Sequence, residues 1–163
     1  MTIFREVHLL LYYTIYATKE GIAVSREKNI QNARNVLRFL EQRKFKEFSE
    51  LFAENGKWIH PYHSELFPAE IEGQKEITNW IKKTAANFDD IHFPIDEMMP
   101  FLDPNKVAVK NKGKLKLKNS DNYYENDYLA IFSYDDQGKI VEWIEYYNPV
   151  IAAKAFGLMD KLK

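Results

Sequence analysis

The sequence predicts an α+β fold in which three N-terminal helices pack on a strongly curved antiparallel sheet. Two observations lead to this prediction. The spacing of apolar residues changes from a period near 3.6 to a period of 2 after residue 90. Two long alternating segments, 123–134 and 139–148, then flank the tetrapeptide Asp-Asp-Gln-Gly at 135–138, which is a strong hairpin signal. Helices therefore come first, and a meander of strands follows.

Length and composition indicate one globular domain. The chain has 163 residues, of which 45% are hydrophobic and 29% are charged, so a disordered or fibrous chain is excluded. Lys and Arg number 23 against 24 Asp and Glu, a balance that argues against a nucleic-acid-binding protein. There is no cysteine, which excludes a disulfide framework and a thiol nucleophile. Aromatic residues make up 15%, a share that suits a core or a pocket.

The first 24 residues differ from the rest of the chain. Their apolar run, residues 7–17, is much shorter than the roughly 20 residues that span a bilayer. No small-x-small cleavage site follows the run, so a signal peptide is disfavoured. We therefore expect residues 1–24 to be an extension, residues 25–163 to form the domain, and the protein to be cytoplasmic with no membrane partner. Translation from an alternative start at Val24 is a further hypothesis.

Apolar residues at helical spacing predict the three helices in order. The first covers 26–42. The second begins near Phe45 and is expected to end at Asn55-Gly56, a sequence typical of a left-handed C-terminal cap. Gly73 precedes the third, which covers 74–87 and carries Trp80 on its apolar side.

Strands are predicted between and after these helices. A short strand over 57–62 is stopped by proline, and a second covers 91–96. Residues 106–118 alternate strictly, with lysines at even positions and a turn expected at 111–113. The lysines are best explained as the solvated outer face of an edge hairpin, and an anion-binding face is the alternative. A short helix is predicted after Pro149.

The C-terminal half carries a family resemblance. The segments YYENDY at 123–128, GKI at 138–140 and EYYNP at 145–149, together with Phe132, resemble the SnoaL-like branch of the nuclear-transport-factor-2-like superfamily. The sequence is most similar to the phenazine-biosynthesis PhzA/PhzB group, and the resemblance covers residues 27–158. It implies a cone-shaped α+β barrel, a homodimer and a deep, largely apolar pocket. This superfamily includes isomerases, cyclases, hydrolases and plain binding proteins, so the resemblance specifies the fold more closely than the chemistry.

The resemblance also assigns a proton-moving residue. The glutamate on the last strand of the PhzA/PhzB group falls on Glu145, whereas the histidine that works with it falls on Trp80. This supports a pocket with an acid/base carboxylate more than it supports phenazine chemistry itself.

Strand pairing gives a candidate catalytic pair. If residue 129 lies near 145 and residue 127 near 147, then Asp127, Glu145 and their odd-numbered neighbours share one face. Carboxylates against such apolar neighbours have raised pKa values, as acid/base catalysis near neutral pH requires. Alternatively the even face of residues 126–132 is buried, and a bulge would shift the alternation.

Several other side chains are candidates for binding a small hydrophobic or aromatic ligand, and tyrosine hydroxyls among them could donate to a carbonyl oxygen. They are Trp80, Trp143, Tyr147, Asn126, Tyr128, His60 and Tyr62. His60 and His63 have no acidic third ligand at a recognised spacing, and phosphate-binding and dinucleotide motifs are absent, so we expect no metal and no cofactor. Two function classes follow: an acid/base isomerase, cyclase or condensing enzyme acting on a carbonyl compound, or a binding protein without turnover.

Overall fold

The computed structural model describes residues 25–162, so the predicted extension lies outside the described residues. The helices are α1 (25–41), α2 (Phe45–Ser49), α3 (Gln74–Ala85) and α4 (Pro149–Ala155), followed by a 3₁₀ turn at Met159–Lys161. The strands are β1 (Phe52–Ile59), β2 (Glu70–Glu72), β3 (Phe88–His92), β4 (Ile95–Pro100), β5 (Lys106–Leu117), β6 (Tyr123–Tyr134) and β7 (Ile140–Tyr147). This order confirms the predicted α+β fold class.

The seven strands form one open sheet. Their order is β2-β1-β7-β6-β5-β3, and β4 also pairs with β5. All pairs are antiparallel except β1 with β7, which run in parallel. The sheet is therefore mixed, whereas the sequence predicted an antiparallel one. The difference arises because β1, which precedes the meander, lies beside the last strand of the meander and runs in its direction.

The predicted end of the second helix at Asn55-Gly56 is wrong. Helix α2 ends at Ser49, and the Asn-Gly pair lies inside β1, where the register with β7 is irregular between Phe52 and Lys57. A Cβ on Gly56 would lie only 2.9 Å from the carbonyl oxygen of Ile140. Glycine here therefore permits the close approach of two strands, and it does not cap a helix.

The predicted turn at 111–113 is also wrong, because β5 is one continuous strand. It pairs with β6 on one side and with β3 and β4 on the other, so it lies in the middle of the sheet and not in an edge hairpin. Its lysines at 106, 110, 112 and 114 are exposed, as a solvated face requires. Lys112 and Lys114 lie 3.8 and 3.4 Å from Asp127 and Glu125 on the same outer face.

The β6–β7 hairpin is confirmed, but its register differs from the predicted one. An irregularity between Ser133 and Tyr134 shifts the pairing by one residue, so Ala130 and not Leu129 lies opposite Glu145. Even positions of β6 therefore share the inner face with odd positions of β7. The predicted inner face of odd residues is therefore correct for Glu145 and its neighbours on β7, and the alternative inner face of even residues is correct for β6.

The core consists of two clusters of buried side chains. The larger joins α1 and α3 to the strands, and the smaller joins the end of α3, β3 and α4 to Tyr124 and Tyr147. Half-buried Phe45 and Phe93 pack against both clusters. No described helix is long and apolar enough to cross a membrane.

Candidate active site

A cavity of about 120 Å³ lies between the two core clusters. Most of its walls are aromatic rings from β1, β6, β7, α3 and the segment after α4. Among the described residues that line it, Glu145 is the only carboxyl group and none is Lys or Arg. A cavity of about 150 Å³ takes up one benzene molecule, so this one suits roughly a single ring.

The parallel strands β1 and β7 form one wall of the cavity, because every second residue of each strand points inward. Trp143, Glu145 and Tyr147 are two residues apart on β7, so all three point inward. Trp58 of β1 pairs with Trp143, and their rings stack at 4.3 Å and 6°. His60 is two residues after Trp58, and Glu145 is two residues after Trp143, so His60 and Glu145 also lie side by side.

Glu145 is held in a poorly solvated position. Its side chain is only 14% exposed, and this burial raises the pKa of its carboxyl from 4.5 to about 8. The indole N–H of Trp58 favours the charged form, although it completes no hydrogen bond and only partly offsets the effect of burial on the pKa. The carboxyl therefore holds its proton through much of the neutral range.

His60 is a neutral acceptor directed at that carboxyl. Its Nδ1 lies 2.9 Å from the carbonyl oxygen of Pro68, which can only accept, so Nδ1 carries the proton and Nε2 does not. Nε2 lies 3.9 Å from Oε2 of Glu145. Burial, and more weakly His63, lowers the pKa of His60 to about 4. At neutral pH the two groups are thus mainly an uncharged acid facing an uncharged base, and not an ion pair.

Three tyrosine hydroxyls lie near the same carboxyl. The Tyr128 hydroxyl donates to that of Tyr124 at 3.0 Å, and the Asn126 amide donates to Tyr124 at 2.9 Å. Whichever tyrosine donates, one of the two hydroxyl protons remains free for a ligand. The Tyr147 hydroxyl is buried and has no hydrogen-bond partner. Burial raises the pKa of all three groups, so they stay protonated as donors.

Six of the predicted site residues line the cavity: His60, Trp80, Tyr128, Trp143, Glu145 and Tyr147. Two others do not. Asn126 is buried behind Tyr124, where it also bonds the backbone of Asn148. Tyr62 is 59% exposed and packs its ring against Tyr146 outside the cavity.

The prediction that Asp127 shares a face with Glu145 is wrong. Its side chain is 81% exposed and lies 3.8 Å from Lys112 on the outer face of the sheet. The cause is the irregularity at Ser133–Tyr134, which reverses the alternation of β6 relative to β7.

Sequence reasoning missed ten of the sixteen lining residues, among them Trp58 and Tyr124. Tyr124 lies two and four residues before Asn126 and Tyr128, so it shares their face and could have been grouped with them. Trp58 could be placed only once the parallel pairing of β1 with β7 was known. Within residues 25–162, no group of three His, Asp or Glu side chains is arranged to hold a metal ion.

Comparisons with known proteins give one family match and several solved structures of similar fold. A family model described as SnoaL-like domain matches residues 33–143. The uncharacterized protein YesE of Bacillus subtilis is 26% identical over 131 residues, which cover 80% of this chain and 88% of YesE. The structure of PhzB2, a phenazine biosynthesis-related protein of Pseudomonas aeruginosa, is 25% identical with a TM-score of 0.72 and covers 83% of this chain and 85% of its own. Rv0760c of Mycobacterium tuberculosis, solved with estradiol-17beta-hemisuccinate, has a TM-score of 0.66 at 13% identity and covers 74% and 94% of the two chains.

Proposed function

The chain belongs to the SnoaL-like domain family, and we propose that it is a cofactor-independent acid/base enzyme of the isomerase, cyclase or condensing type. Its substrate is a small, uncharged, hydrophobic carbonyl compound, and Glu145 moves the proton. The observation that carries this proposal is a single buried carboxyl, with a pKa of about 8, in a cavity otherwise lined by rings and hydroxyls. A general acid or base works best when its pKa lies near the operating pH.

The arrangement suits proton transfer next to a carbonyl. The Glu145 carboxylate, which forms as the pH approaches the pKa of about 8, removes a proton from the carbon beside the carbonyl. The electron pair of that C–H bond forms a carbon–carbon double bond, and the π pair of the carbonyl moves to its oxygen, which gives an enolate. Hydroxyl donors stabilise the developing negative charge on that oxygen, a role for the free proton of the Tyr124–Tyr128 pair. In a conjugated substrate the protonated Glu145 then returns the proton to a different carbon of the enolate, which moves the double bond and completes an isomerisation without loss or gain of atoms.

The lining residues support an uncharged substrate. A phosphate or carboxylate group would be buried here without a Lys or Arg to pair with it, at a high cost in desolvation. Of the solved structures with a similar fold, Rv0760c holds a ring compound, estradiol-17beta-hemisuccinate, and PhzB2 is described as related to phenazine biosynthesis. Phenazine chemistry itself is disfavoured, because the resemblance to the PhzA/PhzB group places Trp80 at the position of that group's histidine.

We also propose that the protein is a homodimer. On the outer face of the sheet, Leu129 lies opposite Tyr146 and Ile131 lies opposite Ile144, and Leu129 is 37% exposed. This apolar strip crosses two central strands, and a second copy packed across a two-fold axis would cover it.

Enolisation can be measured without knowing the natural substrate. Cyclohexanone and cyclohex-2-enone are incubated with the protein in D₂O, and exchange at the carbon next to the carbonyl is followed by NMR. Glu145→Gln keeps the shape of the side chain but cannot move a proton, so we expect exchange to fall about 100-fold or more while affinity changes little. Glu142→Gln, a change on the same strand beside the Ser133 hydroxyl, is the matched control and should retain the rate.

The same assay separates the two function classes. Ketones that bind wild type and Glu145→Gln equally, with no exchange above the uncatalysed rate in either, would indicate a binding protein with the same cavity. Exchange that is fast in both proteins would remove Glu145 from the mechanism.

A further inference from the structure

We propose that His60 and Glu145 together bind one hydroxyl group of the ligand, so that the preferred ligand is a small ring carrying a hydroxyl at the β1–β7 end of the cavity. The inference rests on the proposed function only in taking this cavity as the ligand site. It does not depend on turnover. It adds a second polar group to the ligand, distinct from the carbonyl that the tyrosines are placed to receive.

His60 has one orientation and one tautomer in this cavity. Its ring is oriented by Nδ1, which donates to the carbonyl oxygen of Pro68 at 2.9 Å, and its backbone is held by its N–H, which donates to the carbonyl oxygen of Ala69 at 2.9 Å. The side chain is 4% exposed, and its ring centroid lies 4.5 Å from that of Trp58. A rotated ring would break the bond to Pro68. Nε2 is therefore presented to the cavity as an acceptor and nothing else.

His60 and Glu145 are separated by a short gap. Nε2 and Oε2 are 3.9 Å apart, which is too long for a direct hydrogen bond. At an oxygen about 2.8 Å from each atom, the two atoms would subtend an angle of about 90°, somewhat narrower than the roughly tetrahedral angle between the directions in which a hydroxyl donates and accepts. The gap between the two side chains thus fits one bridging oxygen.

The protonation states of the two side chains determine which kind of oxygen can bridge them. At pH 6 both groups are neutral, since the pKa of Glu145 is about 8 and that of His60 about 4. The acid donates to the oxygen, and Nε2 needs a donor in return. A hydroxyl satisfies both partners, whereas a carbonyl or ether oxygen would place its lone pairs against the lone pair of Nε2. A primary ammonium could donate to both atoms, but its charge would be buried among aromatic rings.

Equilibrium binding of three matched rings tests the proposal at pH 6. Phenol has the hydroxyl, anisole has an oxygen that only accepts, and toluene has neither. We expect the wild-type protein to bind phenol about 10-fold or more tightly than anisole or toluene, as one well-placed hydrogen bond would give. Isothermal titration or NMR line shifts measure the three affinities directly.

Two substitutions of His60 make the test specific. His60→Asn keeps an amide that can bond Pro68 but removes the acceptor at the Nε2 position, so the preference for phenol should fall to about 2-fold or less while toluene affinity is unchanged. His60→Gln places an amide oxygen near the Nε2 position and should restore part of the preference. His63→Asn, outside the cavity lining, is the matched control and should behave as wild type.

Several results would overturn the proposal. They are equal binding of phenol and toluene by wild type, an unchanged phenol preference in His60→Asn, tighter binding of cyclohexylamine than of cyclohexanol, or no binding of any ring. Because no bond is made or broken in this test, a phenol preference without ketone exchange would uphold the inference while the proposed enzymatic function fails.

Discussion

The two buried groups of the cavity should make folding stability depend on pH in opposite directions. The folded state raises the pKa of Glu145 from 4.5 to about 8, so the unfolded chain releases a proton that the folded chain keeps. Stability is therefore lost as the pH rises from about 4.5 to about 8, and little further change follows. At about 1.36 kcal/mol per pKa unit the whole loss is about 5 kcal/mol, an upper value for a side chain 14% exposed.

His60 acts at the other end of the pH scale. Its pKa is lowered from 6.5 to about 4, so the unfolded chain takes up a proton that the folded chain excludes. Stability is therefore lost as the pH falls from about 6.5 to about 4, by about 3 kcal/mol in all. Between about pH 4.5 and 6.5 the two slopes are equal and opposite, and we expect a plateau from this pair.

Urea unfolding at pH values from 5 to 9 measures this dependence. From pH 6.5 to 8 only Glu145 contributes a slope from this pair, and the wild-type protein should lose about 2 kcal/mol more than Glu145→Gln over that interval. Glu142→Gln, on the same strand, should keep the wild-type slope. Parallel curves for wild type and Glu145→Gln would refute the reasoning, because they would mean that Glu145 has the same pKa folded and unfolded.

Two further predictions concern packing and assembly. Gly113→Ala would place a Cβ 2.7 Å from Cε2 of Tyr128, so the ring must move. We expect about 1–3 kcal/mol of destabilisation together with weaker binding of phenol. Unchanged unfolding in urea would contradict this. Light scattering on a sizing column should give about twice the chain mass of 19.3 kDa for the wild-type protein. Leu129→Glu, on the exposed apolar strip, should give a monomer. A monomeric wild-type protein at micromolar concentration would refute the dimer.

The sequence predicted those parts of the fold that local patterns determine. The 3.6-residue spacing located α1 and α3, and the DDQG tetrapeptide located the β6–β7 hairpin, because a helix face and a tight turn involve neighbouring residues. Local signals failed at Asn55-Gly56 and at Gly113. Both glycines suit turns, but here each allows a close approach from a distant part of the chain, by the Ile140 carbonyl and by the Tyr128 ring.

The candidate site was predicted in part for the same reason. Glu145 was predicted from strand pairing and from a family resemblance together, and its neighbours Trp143 and Tyr147 followed from alternation along one strand. The pairing of Asp127 with Glu145 failed because β7 carries one extra residue, Val141, between the pairs Ser133–Glu142 and Tyr134–Ile140, which brings the odd residues of β7 onto the face of the even residues of β6. The contact of His60 with Glu145 depends on the parallel pairing of β1 with β7, which no local pattern indicates.

The most direct test of the account is the titration of the Glu145 carboxyl itself. Carbon-13 labelling of glutamate, with Glu145→Gln to assign the signal, gives its pKa by NMR in the folded protein. We predict a value of about 8, and a lower value in Trp80→Ala, since removal of an indole that lines the cavity admits water. A carboxyl that titrates near its ordinary 4.5 in the wild-type protein would contradict the central claim that Glu145 is a buried proton carrier for neutral pH.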